Sequence, residues 1–103
     1  MNITHQMIFC IVNAGFSETV MDAAREAGAR GGTVIHGRGT ANKEAEKIFN
    51  IAIQPDKEIV MILVGDDIKD NVLTALNKAV GLDTDGQGIA FSMPVDRVIG
   101  IKG

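Results

Sequence analysis

Two short glycine turns are the segments of this 103-residue chain whose composition is best suited to chemistry. The first reads Gly37-Arg38-Gly39-Thr40 and the second reads Gly86-Gln87-Gly88. Backbone without side chains can approach a phosphate closely and present N–H groups to it, while Arg38, Lys57 and Lys102 could supply positive charge. The turns therefore predict recognition of a phosphate-bearing ligand, although the geometry of a tight turn also explains glycines at this spacing.

Neither turn extends into a nucleotide-binding fingerprint. The sixth position of a G-x-G-x-x-G motif is Asn42 in the first turn and Phe91 in the second, and the sequence contains no P-loop motif. The turns alone therefore do not specify a ligand.

The other reactive side chains favour structural roles. His5 and His36 are the only histidines, and no serine or cysteine lies in a nucleophile motif. Cys10 lies within an apolar run and is interpreted as a small hydrophobic residue. Asp66, Asp67 and Asp70 suit the positive end of a helix without a metal. We therefore predict neither catalytic residues nor a metal site.

The apolar pattern predicts the elements that position these turns. Strands are predicted at residues 7–12, 33–36, 57–64 and 89–92, with a last extended piece at 95–101. Two helices lie between them, the first capped by Ser17 and the second capped by Asp66 or Asp67 and ending at Gly81. This order predicts an α+β, ferredoxin-like βαββαβ fold, with a four-stranded antiparallel sheet and both helices on one face.

The first and third predicted strands are apolar on both faces. In the first strand Met7, Phe9 and Ile11 alternate with Ile8, Cys10 and Val12. Side chains on the helix-free face would each forgo about 1.5–3 kcal/mol if they stayed in water. The pattern therefore predicts a closed homo-oligomer with its sheets packed together, in preference to a monomer with an uncovered sheet.

Length and composition limit the class of protein. A chain of 103 residues that is 46% hydrophobic predicts one domain, residues 1–103. The formal net charge of −3 argues against nucleic-acid binding, and no apolar run is long enough to span a bilayer. One cysteine and no recognisable signal peptide predict a cytoplasmic protein without membrane insertion.

The order of elements and the two turns resemble the PII signalling proteins, the nitrogen regulatory protein family, and the chain is identified as a divergent member. The resemblance covers nearly the whole chain. Its carriers are Glu26-Ala27-Gly28, Gly31-Gly32-Thr33-Val34, Gly37-Arg38-Gly39, the strand at 57–64, Gly86-Gln87-Gly88, and Phe91 with Pro94-Val95-Asp96-Arg97-Val98.

The resemblance implies a homotrimer with an ATP or ADP site in each cleft between subunits. The turns and the resemblance together predict the residues of this site: Gly37, Arg38, Gly39, Thr40, Lys57, Gly86, Gln87, Gly88 and Lys102. The chain departs from the family pattern where Ile89 and Gly100 replace basic residues, and where Ala41 replaces a glutamine associated with Mg-ATP and 2-oxoglutarate. The departures at Ile89 and Gly100 reduce the positive charge available to a phosphate.

The resemblance also implies that residues 40–56 form the effector segment known as the T-loop. The side chains expected to meet a partner are Lys43, Glu44, Glu46, Lys47 and Phe49. We expect a regulatory protein that controls a transporter or a nitrogen-metabolism enzyme. The alternatives are a nucleotide-independent interaction module of the same fold and, less favoured, a small metal-binding trimer.

Overall fold

The computed structural model describes residues 3–40 and 55–101. Within them lie four strands and two α-helices, in the order predicted for a ferredoxin-like fold. The elements are β1 (His5–Asn13), α1 (Ser17–Glu26), β2 (Thr33–Arg38), β3 (Asp56–Gly65), a 3₁₀ turn (Asp66–Ile68), α2 (Lys69–Val80) and β4 (Ile89–Val95). The strands form one antiparallel sheet in the order β2-β3-β1-β4. The predicted fold class is confirmed.

The core lies between the helices and one face of the sheet. Alternate residues of β1 and β3 point into it, and the helices contribute a stripe of residues at helical spacing. The largest fully buried side chains are Ile8, Ile62, Leu76, Val12, Val20, Val60, Val72, Val80 and Cys10. This inner face fixes the register of the central strands, because a slip by one residue would turn these side chains outward.

Both predicted helix caps were wrong. Ser17 is the first residue of α1 and does not cap it, since the cap position is Phe16 without a side-chain hydrogen bond. Neither Asp66 nor Asp67 caps α2, because both lie in the 3₁₀ turn and the helix starts at Lys69. Asp66 instead accepts a hydrogen bond from the buried Gln6, at 2.7 Å between Nε2 and Oδ1.

The ends of two strands also differ from prediction. β2 continues through Gly37 and Arg38, which were expected in a turn, because both pair with the start of β3. β4 continues through Pro94 to Val95, whereas a separate extended piece was expected from residue 95. Proline is tolerated there because β4 is an edge strand.

The outer face of the sheet carries three rows of residues that run across the strands and are apolar except for Thr33. Directly opposed residues share a face, so the register defines each row. From one end of the sheet the rows are Met93, Met7 and Leu63; then Phe91, Phe9, Met61 and Thr33; then Ile89, Ile11, Ile59 and Ile35. The rings of Phe9 and Phe91 stack with their centroids 5.2 Å apart. We call these rows the outer apolar face, and neither α1 nor α2 covers it.

Candidate functional site

A polar fourth row follows the outer apolar face and brings the two glycine segments to one end of the sheet. Gly37 of β2 lies opposite Lys57 of β3, and Lys57 lies opposite Asn13 of β1. The turn that contains Gly86 and Gly88 leads into β4 at the same end, where Ile89 pairs with Ile11. The two glycine segments, which are far apart in sequence, therefore lie at the same end of the sheet because of the strand register.

Asn13 is the centre of the hydrogen bonds at this end. Its side-chain oxygen Oδ1 accepts from Lys57 Nζ at 2.6 Å. Its amide nitrogen Nδ2 donates to the backbone oxygen of Asp85 at 3.0 Å and to Oε1 of Gln87 at 3.3 Å. Its backbone N–H donates to the oxygen of Gly86 at 2.9 Å. One buried side chain, 4% exposed, thus joins β3 to the turn before β4.

A second buried polar residue, Glu58, holds the chain just after β1. The backbone N–H of Gly15 donates to Glu58 Oε1 at 2.5 Å, and that of Ala14 donates to the oxygen of Asp56 at 3.1 Å. Gly15 has a φ of 99°, a conformation that favours glycine. Glu58 therefore satisfies a turn that redirects the chain from β1 towards α1, and it points to the inner face beside Val12.

Gly86 and Gly88 are required for packing. A Cβ atom on Gly88 would lie 2.5 Å from the oxygen of Val80 and 2.9 Å from Cγ1 of Val12. A Cβ atom on Gly86 would lie 3.1 Å from Cβ of Val80. Both glycines are buried, so the close approach of this turn to the end of α2 explains them without a ligand.

Two backbone N–H groups of this turn are already bonded within the protein. Gly88 donates to Val80 at 2.7 Å, and Gln87 donates to Thr84 at 3.0 Å. Gln87 has a φ of 45°, the only positive φ of a non-glycine residue among residues 3–40 and 55–101. That conformation costs roughly 1–2 kcal/mol, and the bond from Asn13 to the Gln87 side chain helps to hold it. A phosphate cradle at these two amides remains a prediction.

The β2 side of the site is more open. Gly39 donates its N–H to the oxygen of Pro55 at 2.6 Å, which closes the two ends of the 40–56 segment. A Cβ on Gly39 would lie 3.0 Å from Cε of Lys57, so this glycine makes room for the lysine stem. Arg38 and Thr40 are exposed at the same end.

The remaining predicted site residues lie outside the described part of the chain. They are Lys43, Glu44, Glu46, Lys47, Phe49 and Lys102. Sequence reasoning missed Asn13 and Glu58. A polar residue that ends the apolar run of β1 and a carboxylate near the start of β3 were visible signals, but only the sheet register shows what each one binds.

A separate pocket of about 190 Å³ opens between α2 and β4 on the inner side of the sheet. It is lined mainly by apolar residues, including Leu73, Leu76 and Ala90, and it reaches Cys10. Burial raises the pKa of the Cys10 thiol from 9.0 to about 11, so the thiol stays protonated at neutral pH. Cys10 therefore behaves as the predicted small hydrophobic residue.

In the described ranges, 3–40 and 55–101, no three histidine, cysteine, aspartate or glutamate side chains come together as metal ligands would. None of the helices there is both long and apolar enough to cross a membrane.

Comparison with known proteins identifies the relatives of this chain. The family model described as nitrogen regulatory protein P-II matches residues 5–103. The "Nitrogen fixation nifHD region glnB-like protein 1" of Methanococcus maripaludis is 29% identical over 98 residues, covering 94% of this chain and 93% of that protein.

Two solved structures share the fold. The Arabidopsis thaliana PII protein, crystallised with citrate, superposes with a TM-score of 0.72 at 23% identity, covering 97% of this chain and 82% of the other. A functionally unknown protein from Pediococcus pentosaceus gives a TM-score of 0.68 at 16% identity, covering 97% of this chain and all of the other.

Proposed function

The chain belongs to the nitrogen regulatory protein P-II family, and on that premise we propose that it is a trimeric regulator that binds an anionic small ligand, such as an adenine nucleotide, between its subunits. The ligand alters the 40–56 segment, which contacts a target protein. This role is regulatory and not enzymatic, in keeping with the family, and we place it in the cytoplasm.

The observation that carries the proposal is the polar row at the end of the outer apolar face. There Lys57 is held by the neutral oxygen of Asn13. Among the described residues the one ion pair joins Lys69 to Asp70, at 3.8 Å, so no described carboxylate neutralises Lys57. Arg38 is exposed at the same end. Arg38 pairs with Asp56 and so alternates to the other face of the sheet, which leaves Lys57 as the cation of the polar network. A cation whose bonded partner is a neutral amide favours an anion, because charge-assisted hydrogen bonds to phosphate or carboxylate are the strong ones.

The outer apolar face supports the assembly. Ile35, Ile89, Phe91 and Met93 are each at least 43% exposed in the single chain. A contiguous apolar surface of this kind favours burial against copies of the same chain. A copy that covers the three apolar rows would also border the polar fourth row. The proposed ligand site therefore lies at a boundary between subunits.

The partner-contact role falls on the segment whose two ends meet at this site. The bond from Gly39 to Pro55 joins those ends next to Lys57. The side chains proposed to contact the target are Lys43, Glu44, Glu46, Lys47 and Phe49. The target we favour is a transporter or a nitrogen-metabolism enzyme.

A second candidate is an interaction module that needs no nucleotide. It is favoured by the turn before β4, where the N–H groups of Gln87 and Gly88 already bond within the protein. Ile89, 56% exposed, also stands where the family resemblance expects a basic side chain. In this alternative the same trimer binds its target through the 40–56 segment alone.

Isothermal titration calorimetry separates the two candidates. We expect heat from at least one of ATP, ADP, AMP, inorganic phosphate and citrate; the last is included because the Arabidopsis PII structure holds it. Lys57→Met should weaken that binding roughly tenfold or more, because a hydrogen bond to a charged group contributes about 1.5–3 kcal/mol.

Lys69→Met is the matched control. It removes the same charge at the start of α2, which follows the opposite end of β3. We expect its affinity to stay within about twofold of wild type, because Lys69 lies beyond the far end of β3 from Lys57 and its side chain pairs with Asp70 instead. Absence of heat with all five ligands at millimolar concentration contradicts the ligand-binding proposal and favours the interaction module.

A further inference from the structure

The hydrogen bonds of Asn13 allow only one orientation of its side-chain amide. A lysine ammonium only donates, and a backbone carbonyl only accepts. The amide oxygen must therefore face Lys57 and the amide nitrogen must face Asp85, as the distances of 2.6 and 3.0 Å show. A flipped amide would set donor against donor and acceptor against acceptor.

Among the described residues, only Asn13 has a side chain that bonds both to Lys57 and to the turn at 84–88. The hydrogen bonds of the described residues include no direct bond between Lys57 and the turn at 84–88. Asn13 is 4% exposed, so solvent has little access to replace a lost bond. A displacement of the ammonium therefore reaches the turn through one planar amide group.

We propose that Asn13 is a positioning residue that couples the Lys57 ammonium to the turn at 84–88. An anion that draws Lys57 towards itself weakens the bond to Oδ1 and frees the amide to rotate. The bonds to Asp85 and Gln87 then weaken together. Conversely, a turn held in its observed conformation keeps Lys57 in place. The ligand part of this inference rests on the proposed function, whereas the coupling itself is a property of the folded chain.

The test uses the substitution Asn13→Asp. Aspartate keeps an oxygen that can accept from Lys57, but it has no donor for Asp85 or Gln87. The substitution therefore removes the bonds to the turn and keeps the bond to Lys57. Asn71→Asp is the matched control, because it makes the same chemical change at an exposed position of α2. Asn13→Ala, which removes all three side-chain bonds, is the second variant if the buried carboxylate prevents folding.

Amide hydrogen exchange by NMR measures the coupling without any ligand. In the wild-type background, Lys57→Met should accelerate exchange at Gln87 and Gly88 severalfold, although the lysine bonds to neither residue. In the Asn13→Asp background the side-chain bonds from residue 13 to the turn are already absent, so Lys57→Met should change those rates less than twofold. The Asn71→Asp background should behave as wild type.

Two results would overturn the coupling. One is unchanged exchange at Gln87 and Gly88 when Lys57→Met is made in the wild-type background. The other is the same acceleration with and without Asn13, which would show that the effect travels by another route.

A titration of wild-type protein with ATP tests whether a bound anion acts on the turn through Lys57 and Asn13. Bound ATP should change exchange at Gln87 and Gly88 in wild type and lose at least half of that effect in Asn13→Ala. If ATP does not bind, the nucleotide part of the proposed function fails while the ligand-free comparison still decides the coupling. If ATP binds but Lys57→Met leaves the turn unchanged, the coupling fails and the proposed function stands.

Discussion

Replacing Gly88 by alanine introduces a methyl group into the contact between the turn and α2. Its Cβ would lie 2.5 Å from the oxygen of Val80 and 2.9 Å from Cγ1 of Val12. Ordinary contacts of carbon atoms lie at about 3.5–4.0 Å, so the overlap with Val12 is at least about 0.6 Å. Both valines are no more than 1% exposed. Neither valine can therefore move aside into solvent to make room for the methyl group.

The expected cost combines overpacking with damage to a buried hydrogen bond. Overpacking of a filled core costs about 1–3 kcal/mol. The oxygen that the methyl group meets also accepts the bond from the Gly88 N–H at 2.7 Å. Weakening this bond brings the expected loss of unfolding free energy to about 3 kcal/mol. For a domain of this size, that loss lowers Tm by roughly 10–20 °C.

Denaturation followed by far-ultraviolet circular dichroism is the suitable assay, because the chain has no tryptophan and no tyrosine. All variants are compared at one protomer concentration, since assembly contributes to stability. Gly31→Ala is the control: a Cβ there meets nothing within 4 Å. We expect it to be neutral or to stabilise by about 0.4–1 kcal/mol through the unfolded state.

A Gly88→Ala protein as stable as Gly31→Ala, within about 0.5 kcal/mol, would refute the packing argument. Calorimetric titration of the same variant with nucleotide then separates two roles for this glycine. If Gly88→Ala keeps its stability but loses binding of a nucleotide, the glycine is required for the ligand. If Gly88→Ala loses stability, the glycine is required for the contact with α2.

Two further predictions concern the outer apolar face and the buried thiol. Phe9→Asp, in the middle row beside Phe91, should reduce the mass measured by light scattering to that of a protomer, or prevent folding. An intact assembly would contradict the buried-face argument. Leu82→Asp is the control, because Leu82 is 64% exposed. Cys10 should not react with a thiol reagent at pH 8 until denaturant is added, because its pKa is raised by burial to about 11. Native reactivity at pH 8 would contradict this assignment. Because the thiol ionises near pH 9.0 in the unfolded chain and near pH 11 in the folded one, its contribution to stability should fall as pH rises from 9 to 11. Cys10→Ala should remove that pH dependence.

The order of elements was predictable from the sequence because the signals are local. The apolar run at 57–64 and the glycine after α2 mark their elements without reference to the rest of the chain. The helix starts were less predictable. Asp66 had the residue type of a cap, but its side chain bonds to Gln6, a partner 60 residues away that no local pattern indicates.

The site was predictable only in part. Gly86 and Gly88 were visible as an unusual spacing, and the turn they form was predicted correctly. Their cause was not visible, because the atoms that exclude a side chain belong to Val80 and Val12 on two other elements. Asn13 carried no motif at all, although it makes more of the site's hydrogen bonds than any predicted residue.

The sequence by itself determined the fold class, since the period-2 and helical patterns, with the glycines between them, allow few other arrangements. It also determined that the sheet has a second apolar face. Only the tertiary structure decided which residues meet at the end of that face. The register of β1, β2 and β3 places Asn13 opposite Lys57 and Lys57 opposite Gly37. These long-range pairings depend on packing across the whole inner face of the sheet.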